Sequence, residues 1–142
     1  MQSTSVIYGA DGRVTQGRQV VHVSRLAFDA TVAELEAAIG AEDLWVVARL
    51  DPQMLLAKGG FAIRPARQLF YFHPRYMSRL LATNPAAIVE APLKLVVLEG
   101  VAGDVTVRHP DVAAAFAAYD AMTPLATELE EITARVVARV TD

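Results

Sequence analysis

The chain has no cysteine among its 142 residues. Disulfides, thiolate nucleophiles and cysteine-ligated metals are thereby excluded, and the absence fits a reducing compartment. Charge is scarce as well: 20% of the residues are charged, and the net charge is -3. A field of that size and sign draws the protein neither to nucleic acid nor to anionic lipid. No apolar run reaches the roughly 20 residues of a membrane span. Met1-Gln2-Ser3-Thr4 lacks the basic start and apolar stretch of a signal peptide. The expectation is a cytoplasmic protein with no nucleic-acid and no membrane partner. Also missing are a Gly-x-Ser-x-Gly nucleophile elbow, a P-loop and a dinucleotide-binding glycine fingerprint. His22, His73 and His109 lie far apart in sequence, with no His-Glu-x-x-His, so neither a metal nor a cofactor is expected.

What is present is apolar: 54% of the residues are hydrophobic. Such a composition specifies a packed globule, and the length suits one domain. The expected division is a leader over residues 1–17, hairpin or frayed tail, followed by a single α+β domain over 18–142. In the leader, Gly9-Ala10-Asp11-Gly12 reads as a turn between Val6-Ile7-Tyr8 and Arg13-Val14-Thr15.

From Gln19 to Leu26 the chain alternates, Val21 and Val23 against His22 and Ser24, which predicts a first strand. Asp29 or Thr31 then caps a helix, and Thr31 with Glu34 has capping-box spacing. Val32, Leu35 and Ile39 form its buried stripe, and Gly40 ends it. Leu44 to Leu50 is a second strand, apolar on both faces and therefore read as central. Asp51-Pro52 starts a short helix that Gly59-Gly60 stops. Ala66 to Phe72 is a third strand. His73-Pro74 and Asn84-Pro85 each combine a cap with proline, predicting helices over 74–83 and 85–90. Leu93 to Leu98 and Asp104 to Arg108 are strands four and five, joined antiparallel by the loop at 100–103, and His109-Pro110-Asp111 breaks the fifth. Two helices close the chain, over Val112 to Met122 and from Thr123-Pro124 onward, the last with Leu125, Leu129, Ile132, Val136 and Val140 on its apolar face. Five strands with interspersed helices predict an α+β layer, a five-stranded sheet that the hairpin makes at least partly antiparallel, covered by helices on one face.

The polar candidates cluster between Arg64 and Lys94. His73 stands where an aromatic strand meets a helix; it reads either as a residue titrating near neutral pH, suited to acid–base work, or simply as the cap of the helix that follows. Arg64, Arg67, Arg75 and Arg79 form the densest cationic run. Their guanidinium forks suit carboxylates and phosphates, or they form a solvated face with Arg64 paired to an acid such as Glu90. Lys94 interrupts an apolar strand and shares a face with Val96 and Leu98. It pairs with Glu90 structurally, or it anchors a ligand carboxylate. Phe70-Tyr71-Phe72 has the look of a base-stacking strand, a reading that the net charge opposes.

Arg64 and His73 bracket the third strand, which would hold them roughly 30 Å apart if fully extended. His73 with Lys94 is therefore the expected core of a ligand site, with Arg64, Arg67 and Glu90 as further members. The expected function is a small-anion-binding module. The alternatives are an enzyme using His73 as general acid/base on a carboxylate or phosphate, with Tyr71 or Tyr76 assisting, and a structural or protein-interaction module.

Several short motifs come in a familiar order: Arg64-Pro65, the apolar strand running to Pro74, Asn84-Pro85, Pro92-Leu93-Lys94, the hairpin at Gly103 and His109-Pro110. In that order, over Val20 to Asp142, the chain resembles the bacterial domain-of-unknown-function 302 family. The resemblance implies a TBP-like α+β fold, a curved and mainly antiparallel sheet with packed helices, often as a homodimer. It implies no substrate. Where many members read Gly-Asn-Pro after the third strand, this chain reads Phe72-His73-Pro74.

Overall fold

A computed structural model describes residues 3–9 and 18–141. Five strands form one antiparallel sheet: β2 (Gln19–Val23), β3 (Trp45–Leu50), β5 (Ala66–Phe72), β6 (Leu93–Glu99) and β7 (Val105–Pro110), in the order β2-β7-β6-β5-β3. The predicted hairpin is present: β6 and β7 pair antiparallel, with Val97 opposite Val107. A small parallel pair lies apart from this sheet, where β1 (Thr4–Ser5) meets β4 (Phe61–Ala62). The strand β4 follows α2 (Pro52–Lys58), so part of the leader is tied to the chain near residue 61. The hairpin expected around Gly9-Ala10-Asp11-Gly12 falls in part outside the described residues.

Strand parity decides what each face holds, because successive side chains point to opposite sides. Leu93, Leu95 and Val97 of β6 are buried, as are Leu69 and Tyr71 of β5 and Val105 and Val107 of β7. Against them pack α1 (Phe28–Ala41) and α5 (Thr123–Thr141), with α1 lying over β3, β5 and β6. Val32, Leu35 and Ile39 of α1 and Leu125, Leu129, Ile132, Val136 and Val140 of α5 are buried, as their spacing predicts. Each fully buried leucine here contributes about 1.5–3 kcal/mol. Arg139 of α5 ties the two helices at the surface by reaching Glu34, 2.6 Å away.

Several boundaries differ from the sequence reading. The helix α1 begins at Phe28, with Ala27 as an N-cap that offers no side-chain bond. Thr31 cannot cap it, because its hydroxyl is held by Ser24 Oγ at 2.6 Å and donates to the Leu26 carbonyl at 3.2 Å. Gly40 lies within α1, and the chain turns instead through Asp43 at φ 57, a left-handed conformation that aspartate tolerates. Strand β3 is an edge strand, not a central one. Its outward apolar residues stay uncovered, Trp45 being 54% and Val47 50% exposed. His109 and Pro110 do not break β7; they are its last two residues, paired with Val20 and Gln19. The helix after it, α4 (Val112–Phe116), stops well short of Met122, and the chain turns through Ala121 at φ 63.

No helix among the described residues is long and apolar enough to cross a membrane.

Candidate functional site

The sheet has two ends of different character. At the end where β5 begins, the arginines are all engaged. Arg64 holds Glu99 at 2.9 Å, so its partner is not Glu90. Arg67 faces Asp51 at 3.5 Å, and its Nε is buried without a hydrogen-bond partner. Arg75 and Arg79, further along the chain, reach Asp43 and Glu128. Four arginines close in sequence are thus dispersed over four carboxylates, and no common anion site forms among them.

At the opposite end lie His73, Lys94 and Glu90. Here β5 runs into α3 (Pro74–Thr83), and a short 3-10 helix (Pro85–Glu90) leads into β6. Both turns are built as their cap–proline pairs predict. The Nδ1 of His73 accepts the Arg75 backbone N–H at 3.0 Å, and Asn84 Oδ1 accepts that of Ala86 at 3.2 Å. Two cavities open at this end, and Pro92 lines both.

The first, of about 340 Å³, has Lys94, Glu90 and His109 on its wall together with Phe70, Tyr71 and Phe116. Lys94 sits opposite Phe70 across the β5–β6 ladder, on the face turned away from Leu93 and Leu95. It is half-buried and makes no hydrogen bond or ion pair among the described residues. Glu90, also half-buried, does not pair with it. It accepts instead from the Tyr119 hydroxyl at 3.2 Å. Partial shelter of that ring, and then the adjoining carboxylate, raise the Tyr119 pKa above its usual 10. Tyr71 is 1% exposed, and its hydroxyl meets Thr133 Oγ1 of α5 at 2.8 Å. Burial pushes its pKa up to about 12.

The second cavity, of about 400 Å³, is lined by Trp45, Val47, Phe72, His73, Met77 and their neighbours. His73 presents its ring to Trp45, 4.9 Å between centroids, and its Nδ1 is committed to the helix cap. His73 and Lys94 therefore face different cavities, and the structure does not bring them into one.

In the sequence His109 reads as a strand breaker, and as a metal ligand it is set aside for its distance from His22 and His73. It is buried, and its Nδ1 lies 2.9 Å from the Pro110 carbonyl, to which it donates. Its Nε2 then accepts from the Nε2–H of His22, 3.1 Å away. Burial, and then the neighbouring His109, lower the His22 pKa below the usual 6.5. Only the β2–β7 pairing brings these two histidines together, 87 residues apart, so no local spacing signals them. Among the described residues no group of three or more His, Asp or Glu is placed to hold a metal ion.

A family model described as "Domain of unknown function DUF302" matches residues 19–140. The chain belongs to the DUF302 family. A crystal structure of an uncharacterized conserved DUF302 protein from Bacillus stearothermophilus is similar, with a TM-score of 0.80 at 20% identity. The match covers 87% of this chain and 98% of that one. At that identity the likeness speaks for the fold of the DUF302 domain and not for its chemistry. No curated protein matches the chain.

Proposed function

We propose that this DUF302 domain binds a small organic anion, with Lys94 as the cationic anchor. The observation that supports this most directly is that Lys94, half-buried in a cavity wall, has no carboxylate of its own among the described residues. Every arginine of the run from 64 to 79 has one. A sheltered ammonium without a partner is an unfavourable state that a ligand carboxylate relieves. The cavity is of the size that takes small molecules, and its aromatic wall suits an apolar ligand body. An enzyme reading centred on His73 has less support, because one ring nitrogen is occupied by the cap and the surrounding cavity is almost wholly apolar.

The same proposal takes the domain to work as a homodimer. The edge strand β3 supports this, since Trp45, Val47 and Leu50 expose apolar surface that a second chain would remove from water. Light scattering at micromolar concentration should give twice the chain mass; a monomer would refute the pairing and leave the ligand site standing.

The ligand site itself is tested by soaking crystals in benzoate. Its carboxylate is expected about 3 Å from Lys94 Nζ, the length of a charge-assisted hydrogen bond. Benzoate seated only beside the arginines would overturn the assignment.

A further inference from the structure

The cavity around Lys94 also holds a negative charge, and that constrains the ligand beyond its being an anion. This inference rests on the anion-binding role proposed above. Glu90 and Lys94 are both half-buried on the same wall, yet they form no ion pair with each other. Tyr119 donates to Oε2 of Glu90. A carboxylate has about four acceptor sites, so most of its capacity is left over. The remaining polar groups of the wall are spent elsewhere. His109 uses one nitrogen on the Pro110 carbonyl and the other on His22, and the Tyr71 hydroxyl is taken by Thr133. Among the described residues of the wall, the ammonium of Lys94 and the carboxylate of Glu90 are therefore the two charges that a ligand meets, and Phe70, Phe116 and Val112 offer it apolar surface.

We infer that the ligand is a zwitterion: an amino acid with an apolar or aromatic side chain, its carboxylate on Lys94 and its ammonium on Glu90. A ligand that is only anionic satisfies Lys94 but sets its charge near Glu90 and leaves that carboxylate unmatched, which weakens its binding. A ligand that is only cationic would face Lys94 in the same way. A zwitterion satisfies both groups, and its side chain fills the aromatic part of the cavity.

The test is calorimetric titration of the full chain with three probes of one shape: L-phenylalanine, 3-phenylpropanoate and 2-phenylethylamine. L-Phenylalanine is expected to bind at least about 10-fold more tightly than 3-phenylpropanoate, the gain of one further charge-assisted hydrogen bond. In Glu90→Gln that advantage should shrink to within about 3-fold, since a neutral amide forms the weaker bond. If 3-phenylpropanoate binds as tightly as L-phenylalanine in the unmutated chain, the zwitterion is overturned and the anion site survives. If 2-phenylethylamine binds best, or no probe gives heat, both fail. The comparison on the unmutated chain decides the matter even if Glu90→Gln does not fold.

Discussion

Two cavities of similar size lie side by side at one end of the sheet, about 340 and 400 Å³, with Pro92 in the wall of each. Their chemistry differs because of where their polar residues sit in the secondary structure. His73 stands at the junction of β5 and α3, where orphan N–H groups at the helix start demand an acceptor, and the nearest one takes its Nδ1. Lys94 stands inside β6, where ladder bonds already satisfy the backbone and ask nothing of a side chain. Its ammonium is left for whatever enters the cavity. The more conspicuous candidate is thus committed locally, and the less conspicuous one is available.

Substitutions at four positions probe this contrast. The largest effect is expected from Lys94→Met, which should weaken binding of 3-phenylpropanoate by about 10- to 100-fold, the worth of a charge-assisted hydrogen bond. Tyr71→Phe comes next. Losing the bond to buried Thr133 should lower stability in urea by about 1–1.5 kcal/mol. The same variant should lose an alkaline transition. The folded Tyr71 ionises only at about 12, whereas the unfolded chain releases that proton at about 10. The wild type therefore loses stability between those values as pH rises, and the phenylalanine variant escapes that part of the loss.

His73→Ala should cost about 1 kcal/mol through the lost cap, and His73→Asn should recover most of it. Binding at Lys94 should stay unchanged in both; a ten-fold loss would show that the two cavities act as one. The smallest effect is at His22. Its folded pKa lies below 6.5, so as pH falls through 6.5 the unfolded chain takes up a proton that the folded one refuses. Stability should decline with acid in that window until the folded pKa is reached, and His22→Gln should decline less.

Much of this architecture can be read along the chain where its cause is local. Asp51-Pro52, His73-Pro74 and Asn84-Pro85 place three helix starts, because cap and proline act within a few residues; all three form as read. The β6–β7 hairpin is equally local. What depends on pairing between distant segments is not legible. Leu44 to Leu50 has the composition of a central strand, but its position at the edge is set by β5 pairing with β6 on its other side. In β2 and the residue that follows it, the polar parity faces inward: His22 reaches His109 and Ser24 reaches Thr31, while Val21 and Val23 are exposed. A rule that apolar residues turn inward fails there, because the neighbouring strand β7 and the start of α1 satisfy the polar side chains. The Arg64 to Arg79 run fails as a site for a related reason, since its carboxylate partners come from four other parts of the chain.

One titration series separates Lys94 from His73 as the residue that holds the ligand. 3-Phenylpropanoate is added to the wild type, to Lys94→Met and to His73→Asn, with binding followed by calorimetry at neutral pH. The account predicts equal affinity for the wild type and His73→Asn and a loss of at least about 10-fold for Lys94→Met. Equal binding by Lys94→Met and the wild type, or a loss confined to His73→Asn, would contradict it.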